Sequence, residues 1–319
     1  MDNKVKVFAG NAGRGLAQEI CKFLSIDLGK VTVERFSDGE IKVEFLENIR
    51  EADVFIINPT HPPAENLLEI MILAQAARLS SAGRVTLVIP YLGYNRQDRK
   101  DKPRVPISAK VVAKMLSLVE VNRIIFLDLH SEVTIGFFDG LVPDHLYGSY
   151  VTVPYLKTAI PEPFVVASPD TGATNRARVF AKLLGTEDFV VFDKKKWKAG
   201  EEGKNSIKIV GDVENKNILF VDDMIDTGGT LVSDAKAAKE AGACRIFACA
   251  THPLFSGSAI KKLDESCIEE MIVTNSIHHN PKEIQTERVK ITVISVAPLL
   301  AKAIQRTHSG ESLSSLILN

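Results

Sequence analysis

The sequence predicts an α/β protein made of two similar halves, each with a mostly parallel sheet flanked by helices. Three observations predict it. Short apolar runs with the length of buried strands alternate with helical stretches along the chain. The run at residues 54–58 corresponds to the run at 218–222, and a helix and a second strand follow each of them. The chain has 319 residues, which is enough for two domains of common size. Two unrelated βαβ units that look alike by chance are the alternative.

The composition is that of an ordinary globular protein, with 45% hydrophobic and 25% charged residues. A net charge of −1 gives no support for a nucleic-acid partner or an anionic membrane partner. The four cysteines form no CxxC pair and no zinc spacing, which is typical of reduced thiols in a cytosol. No apolar run approaches the roughly 18 residues of a membrane span, and the start lacks the core of a signal peptide. We therefore expect a soluble, cytoplasmic protein that binds neither nucleic acid nor membrane.

The elements of the first half follow in order from apolar periodicity and turn residues. Strands are expected at 5–9, 31–36, 41–45, 54–58, 85–90 and 123–127, and helices at 16–24, 64–81, 108–118 and 135–138. Ser108 is expected to cap its helix. The Gly-x-x-Gly-x-Gly stretch at 10–15 has the wrong spacing for a dinucleotide loop, so it is interpreted as a structural turn. Val-Pro-Asp-His at 142–145 is expected to join the two halves.

The strands at 31–36 and 41–45 are expected to pair as a hairpin. Ser-Asp-Gly-Glu between them is a turn sequence, and the second strand alternates polar and apolar residues with period two. Phe36, Asp38 and Glu40 would then share one end of the hairpin. This end would offer an aromatic ring for stacking and two carboxylates as hydrogen-bond acceptors.

Residues 91–106 follow a strand end, carry many charges and are interrupted by prolines, which predicts an extended mobile loop. The charges could form an ordinary solvated face. Alternatively, arginines and lysines in a loop at the carboxyl end of a sheet could fold over a polyphosphate. Local sequence leaves both interpretations open.

Asp128 and His130 close the strand at 123–127. Residues two apart share a strand face, so both side chains are expected to point the same way. A lone histidine is more often structural than a ligand. A carboxylate beside it at a strand end nevertheless makes a metal or phosphate role a serious alternative.

The second half is expected to repeat the pattern. Strands are expected at 164–167, 189–192, 206–210, 218–221, 245–251, 271–274 and 289–294, and helices at 151–159, 174–184, 231–241, from 258, and at 297–306. The strand at 206–210 would close an antiparallel flap, and the apolar residues of the tail suggest a docked strand. Asp170 follows a strand and precedes a glycine turn, a natural position for Mg²⁺ or ribose. The lysines between 194 and 198 serve solubility or neutralise charge at a phosphate site.

The most specific local pattern is Asp-Asp-Met-Ile-Asp-Thr-Gly-Gly-Thr at residues 222–230, between a strand and a helix. Gly228 and Gly229 allow backbone N–H groups to close on an anion, and the helix dipole favours negative charge there. Asp222 and Asp223 suit the hydroxyls of a sugar and a magnesium ion. An ordinary turn with an acidic N-cap is the alternative, but the spacing favours a phosphorylated sugar.

Five stretches in this order carry a family resemblance. They are Asn-Arg-Gln-Asp-Arg-Lys at 95–100, Arg-Val-Pro-Ile-Ser-Ala-Lys at 104–110, Asp-Leu-His at 128–130, Gly-Phe-Phe-Asp at 136–139 and Val-Asp-Asp-Met-Ile-Asp-Thr-Gly-Gly-Thr at 221–230. Together they resemble ribose-phosphate diphosphokinase, also called phosphoribosyl diphosphate (PRPP) synthetase, over nearly the whole chain. The resemblance implies two phosphoribosyltransferase-like domains, at 1–145 and 146–302, with the tail 303–319 packed on the first.

The resemblance also implies a reaction. The diphosphoryl group of ATP would pass to the 1-hydroxyl of ribose 5-phosphate, with Mg²⁺ as cofactor, giving PRPP and AMP for nucleotide biosynthesis. The residues it implies are Lys194 and Lys196 for catalysis, Phe36, Asp38, Glu40, Arg96, Gln97, Asp101 and His130 for ATP, His130 and Asp170 for the metal, and Asp222, Asp223, Asp226, Thr227, Gly228, Gly229 and Thr230 for ribose 5-phosphate. The family generally has an arginine where Lys196 stands, so the bidentate fork of a guanidinium is lost there.

The resemblance further implies homo-oligomers built from dimers, often hexamers. In regulated members an allosteric anion site falls at positions that correspond here to Arg50, Arg104, Ser108, Ser309 and Ser312. Two other functions are considered. A transferase that consumes PRPP would share the loop at 226–230 but would not explain the hairpin at Phe36. A non-catalytic regulatory subunit would have lost motif residues, and only the change at Lys196 points that way.

Overall fold

The structure is a computed structural model that describes residues 4–186, 188–194 and 207–316. These residues divide into two compact units. Within the described ranges, the first unit takes residues 4–148, 276–278 and 296–316, and the second takes 149–275 and 279–295. The domain boundaries at 145 and 302 stay predictions, whereas the compact units divide at 148 and 296, so that the whole last helix joins the first unit.

The described strands and helices have the following bounds. The strands are β1 (Val5–Ala9), β2 (Val31–Arg35), β3 (Ile41–Phe45), β4 (Asp53–Ile57), β5 (Arg84–Ile89), β6 (Arg123–Leu127), β7 (Val142–Leu146), β8 (Phe164–Ser168), β9 (Phe189–Lys194), β10 (Ile207–Val210), β11 (Asn217–Ile225), β12 (Ile246–Pro253), β13 (Glu270–Thr274) and β14 (Lys290–Ile294). The helices are α1 (Arg14–Leu24), α2 (Glu65–Leu79), α3 (Ser108–Ser117), α4 (Ser149–Ala159), α5 (Thr174–Leu184), α6 (Gly229–Glu240), α7 (Ala259–Asp264) and α8 (Ala297–Ser309). Short 3₁₀ turns lie at Glu132–Phe137 and Ser314–Leu316.

The first unit is built on a parallel sheet with the strand order β1-β4-β5-β6-β7. The predicted hairpin is present as β2 and β3, which pair with each other antiparallel as a separate sheet. Residues 142–145, where the junction of the two halves is predicted, belong to β7, which pairs with β6, and the compact units divide three residues later, at 148. Pro143 is tolerated there because β7 is an edge strand, where one backbone nitrogen need not donate.

The second unit is built on a sheet with the order β10-β9-β8-β11-β12-β13-β14. All its neighbouring strands are parallel except β9 and β10, which form the predicted antiparallel flap. Its central strand β11 is longer than the predicted strand at 218–221 and continues to Ile225.

The two units share a central βαβ arrangement, which confirms the predicted α/β fold. In the first unit, β4 lies between β1 and β5, and α2 connects β4 to β5. In the second unit, β11 lies between β8 and β12, and α6 connects β11 to β12. Both β4 and β12 are buried along their whole length, as expected for parallel strands that are covered on both faces. Each large apolar side chain buried in such a strand stabilises the fold by about 1.5–3 kcal/mol.

Helix α8 is attached to the sheet of the first unit through polar contacts at the start of β4 and β5. Arg84 donates from Nε to Asp53 Oδ1 at 2.8 Å and from Nη2 to the Thr307 carbonyl at 2.9 Å. His308 Nδ1 lies 2.7 Å from Asp53 Oδ2. Only 1% of Asp53 is exposed, so a buried carboxylate is shared between a strand residue and the last helix.

Two further predictions are corrected. Ser108 is the first residue of α3 rather than its cap, and its hydroxyl donates to Gln97 Oε1 at 2.6 Å. The tail docks through the buried Leu313 and Leu316, but in its described part it forms a 3₁₀ turn and not a strand, because the contacts are local. Among the described helices, none combines the length and the apolar character that crossing a membrane requires.

Candidate active site

In the second unit, the acidic pair is part of a strand. Asp222 pairs in register with Ala250 of β12, so Asp222 and Asp223 are fixed by the sheet and do not begin a loop as predicted. Asp223 is 5% exposed, and its backbone N–H donates to Asp222 Oδ1 at 2.9 Å. The sheet therefore holds two adjacent carboxylates in a defined geometry.

The predicted phosphate loop follows directly. Gly228 has φ +71°, a left-handed conformation that favours glycine, and it is the N-cap of the 12-residue helix α6. Because the N-cap residue is glycine, it has no side chain to satisfy the first-turn N–H groups, and Thr227, Gly229 and Thr230 are exposed. A backbone hydrogen bond stabilises the loop, since the Ser256 N–H donates to the Asp226 carbonyl at 3.0 Å. A helix N-terminus with a glycine N-cap and exposed first-turn residues has the chemistry that favours an anion.

The electrostatics of the acidic pair depend on burial. Burial raises the pKa of Asp222 well above its ordinary value, and the neighbouring Asp223 raises it further, whereas Arg176 acts in the opposite direction. Sequence reasoning missed Arg176, which lies on α5. No sequence signal marks it, because its effect depends on the strand order: β8, which leads into α5, is the neighbour of β11.

Asp170 follows one strand of this sheet, and Lys194 is the last residue of another. β9, β8 and β11 are adjacent and parallel, so their carboxyl ends lie at one edge. Asp170 is exposed two residues beyond β8, and its Oδ1 accepts from the Ala173 N–H at 2.9 Å. Lys194 is the last residue of β9 and pairs through its backbone with Ile207. Lys196 lies outside the described residues.

In the first unit, the hairpin presents Phe36, Asp38 and Glu40 at one end, as predicted. All three residues are exposed, and 52% of Phe36 is accessible. Asp38 Oδ1 accepts from the Glu40 N–H at 3.0 Å, which shapes the turn. Gly39 has φ +96° and donates to the Phe36 carbonyl at 3.0 Å. The turn thus leaves the Phe36 ring and the Glu40 side chain accessible to a ligand.

The glycine-rich turn at 10–15 is occupied by the protein's own side chains. Gly13 N–H donates to Asn58 Oδ1 at 3.0 Å, and a Cβ on Gly13 would lie 2.2 Å from the Ile57 carbonyl oxygen. Asn11 Nδ2 donates to Glu69 Oε2 at 2.9 Å and to the Val33 carbonyl at 3.3 Å. These contacts support the interpretation as a structural turn, and the bond to the Val33 carbonyl connects the turn to the hairpin.

The structure brings the Arg96-Gln97 segment and the His130 segment together. Ser131 donates to Asp98 Oδ2 at 2.6 Å, and Thr134 donates to the carboxamide oxygen of Asn95. Arg96, Gln97 and His130 are exposed on these two connected segments. Asp101 is also exposed, further along the same loop.

The predicted common face of Asp128 and His130 is wrong. β6 ends at Leu127, and Asp128 has φ +38°, so the alternation of a strand does not extend to these residues. Asp128 is 3% exposed and accepts from the Gly148 N–H at 2.8 Å, whereas His130 is exposed. Asp128 is therefore a buried residue that holds the backbone of Gly148, and His130 is the residue of the two that a ligand can reach.

The five candidate allosteric residues lie on three segments of the first unit: before β4, around the start of α3 and around the end of α8. Arg50 and Arg104 are exposed, and Arg104 has φ +66°. Ser309 donates to Glu311 Oε1 at 3.0 Å and Ser312 to the Ser314 hydroxyl at 2.9 Å, so both serines have local partners. Ser108 contacts Gln97, which connects this candidate to the ATP candidates.

The donor chemistry at the strand ends fits a magnesium ion in part. Among the described residues, no three His, Cys, Asp or Glu side chains are grouped as a complete metal site. Mg²⁺ typically takes one or two carboxylates and completes its shell with water and substrate phosphates. The exposed Asp170 carboxylate supplies oxygens of this kind, and so do Asp222 and Asp223, which are neighbours in sequence. A cation nearby would also relieve the repulsion within the acidic pair.

Comparisons with known proteins identify relatives of the whole chain. Residues 5–119 match the family described as the N-terminal domain of ribose phosphate pyrophosphokinase, and residues 190–318 match the phosphoribosyl synthetase-associated domain. A ribose-phosphate pyrophosphokinase of Chlorobaculum tepidum is 47% identical over 99% of this chain and 96% of the relative. One from Vibrio cholerae is 47% identical over 98% of each chain.

A solved structure is similar as well. The crystal structure of phosphoribosylpyrophosphate synthetase from Mycobacterium smegmatis superposes with a TM-score of 0.88 and 34% identity. The match covers 97% of this chain and all of the other.

Proposed function

This chain belongs to the ribose-phosphate pyrophosphokinase family, and we propose that the strand ends described above carry out its reaction. The chain is an enzyme that transfers the diphosphoryl group of ATP to the 1-hydroxyl of ribose 5-phosphate, giving PRPP and AMP. The observation that carries the assignment of residues is the end of β11, where a carboxylate pair precedes a glycine-capped helix N-terminus.

Ribose 5-phosphate is assigned to this end of β11. The 5-phosphate would accept hydrogen bonds from the loop that leads into the N-terminus of α6. This loop consists of Asp226, Thr227, Gly228, Gly229 and Thr230. Asp222 and Asp223 would accept from ribose hydroxyls. Because the sheet fixes both carboxylates, they would hold the sugar in one orientation and present its 1-hydroxyl for attack.

ATP is assigned to residues of the first unit. The Phe36 ring would stack on adenine, with Asp38 and Glu40 as acceptors at the same hairpin end. Arg96, Gln97, Asp101 and His130 would bind the remainder of ATP. The hydrogen bond from Ser131 to Asp98 supports this grouping, because it joins the two segments that carry these residues.

The chemical step is an in-line attack of the 1-hydroxyl on the β-phosphorus, with AMP as the leaving group. Charge spreads over the oxygens of the transferred group, so positioning and cations matter more than covalent catalysis. Lys194 and Lys196 would supply positive charge, and closure of the loop at 91–106 would exclude competing water. A lysine at 196 keeps the charge but not the bidentate geometry of an arginine.

His130 of the first unit and Asp170 of the second are each assigned as a candidate ligand of Mg²⁺, as the family resemblance implies. When bound, the ion would neutralise oxygens of the diphosphoryl group. We also propose a cytoplasmic location, homo-oligomers built from dimers, and an anion site at Arg50, Arg104, Ser108, Ser309 and Ser312. The net charge of −1 supports the absence of a nucleic-acid partner.

An assay of products tests the proposal. Purified protein with Mg²⁺, ATP and ribose 5-phosphate should form AMP and PRPP in equal amounts, and omission of Mg²⁺ should abolish both. Formation of ADP or inorganic phosphate in place of AMP would show a different transfer. Repeating the assay with added phosphate and with added ADP tests the anion site.

A further inference from the structure

The segment that carries His130 is held by a buried histidine on the neighbouring strand. His145 lies in β7, next to β6, and its Nε2 accepts a hydrogen bond of 2.9 Å from the backbone N–H of Leu129. Both partners are buried, with 9% of His145 and 3% of Leu129 exposed. Leu129 is the residue directly before His130.

The imidazole of His145 is oriented for this role. A ring nitrogen accepts only when it carries no proton, so the neutral ring has its hydrogen on Nδ1. Nδ1 faces the Glu132 carboxylate at 3.7 Å, and Tyr147 donates to the same carboxylate at 2.7 Å. The rings of His145 and Tyr147 also pack with centroids 4.4 Å apart. These contacts favour the tautomer that accepts from Leu129.

The backbone needs this support. Asp128 has φ +38°, a conformation that residues other than glycine rarely adopt and that persists only where surrounding contacts impose it. Its N–H donates to the Leu146 carbonyl at 2.9 Å, which fixes one peptide, and His145 fixes the next. Without the His145 acceptor, the Leu129 N–H would be buried with its partner removed, and the peptide would have to turn.

We propose that His145 is a positioning residue for the ATP side of the site, acting through the Leu129 peptide on His130. The inference rests on the proposed function, because that function assigns His130 to Mg²⁺–ATP. His145 itself touches neither substrate nor metal in this assignment. Its loss changes the orientation of His130 and leaves the ribose 5-phosphate loop unaffected.

The test compares two substitutions. H145F keeps a ring of similar size without an acceptor, and H145Q keeps an acceptor near the place of Nε2. We expect H145F to raise the KM and the Kd for Mg²⁺–ATP by about tenfold or more, as for partners that orient metal-binding groups. The KM for ribose 5-phosphate should stay within about twofold of the wild-type value, and H145Q should lie close to wild type. The Kd is measured by calorimetry, without turnover.

A matched control separates positioning from stability. Asn122 Oδ1 accepts from the Val85 N–H at 2.9 Å at the opposite end of β6, so N122A removes the same kind of bond away from His130. N122A should lower the thermal midpoint as H145F does, with both KM values unchanged. If H145F fails to fold, H145N replaces it, because its shorter side chain cannot place an acceptor at Nε2.

The outcomes are distinct. Equal ATP affinity in wild type and H145F, or equal loss in H145Q and H145N, would overturn the positioning role. A wild-type protein that forms no AMP and PRPP would instead contradict the proposed function.

Discussion

Ser131 donates a hydrogen bond of 2.6 Å to Asp98, and this bond joins two segments that are far apart in sequence. One segment carries Arg96 and Gln97, and the other carries His130. S131A should therefore raise the KM for ATP by about three- to tenfold, since a hydrogen bond to a carboxylate is lost. Initial rates at varied ATP check this, with S117A as the control, because Ser117 donates to the Ala113 carbonyl and accepts from the Asp139 N–H, away from both segments. An S131A enzyme with unchanged KM would show that the bond does not organise the site.

Gly228 allows a direct comparison of strain with function. G228A places an L-residue at φ +71°, where the added Cβ meets no atom closer than 3.7 Å, so conformational strain is the main effect. We expect a stability loss of about 1–2 kcal/mol and a KM for ribose 5-phosphate raised by about tenfold or more, because the first-turn N–H groups tilt. G310A is matched to it, since Gly310 has φ +75° with no described atom within 4 Å of a new Cβ. It should lose similar stability and keep normal kinetics; kinetic losses in both variants would argue for strain alone.

Glu270 should contribute stability that depends on pH. Burial raises its pKa, but hydrogen bonds from Lys290, Thr292 and Tyr155 outweigh burial, and the pKa lies below its ordinary value. A carboxyl group with a lowered folded-state pKa stabilises the fold above its unfolded pKa, and this contribution is lost as pH falls through the folded pKa. E270Q should thus lower the thermal midpoint at neutral pH and flatten its decline below about pH 5.

The thermal midpoint of E270Q is measured from pH 7 down to about pH 3. E240Q serves as the control, because among the described residues Glu240 pairs with the exposed Lys236 one helical turn away, and its loss should change little. An E270Q curve parallel to wild type would mean that Glu270 does not titrate as inferred.

Lys194 should act on the transition state. K194A should lower kcat by about 100-fold or more with a small change in KM, because its charge is used as the phosphoryl oxygens become more negative. Steady-state kinetics in both substrates check this, with K208A, an exposed lysine of β10, as the control. A loss confined to KM would assign Lys194 to ground-state binding.

Local patterns explain which parts could be predicted from sequence. The strand, turn and helix start around residues 218–230 are encoded by an apolar run, a carboxylate pair and two glycines within a few residues, so the position of this segment was recognisable, and its phosphate-binding role stays a prediction. The hairpin at Phe36 was recognisable for the same reason. β7 was missed because an edge strand with a proline and two polar residues lacks the apolar run of a buried strand.

The supporting contacts could not be predicted, because they depend on tertiary structure. Arg176 lowers the pKa of Asp222 only because β8 lies beside β11, and the local sequence of neither strand determines this order. The left-handed backbone conformation of Asp128 could not be predicted either, because the residue is not a glycine. Its conformation follows from bonds to Leu146 and Gly148, which come from the next strand and the turn after it.

The attachment of α8 to Asp53 and Arg84 has a consequence for biosynthesis. A ribosome delivers β4 and β5 early, but His308 and the Thr307 carbonyl arrive more than 200 residues later. Until then Asp53 lacks one of its two partners, and the first sheet lacks the helix that joins its unit. Folding of the first unit during translation therefore cannot be completed before α8 has been synthesised.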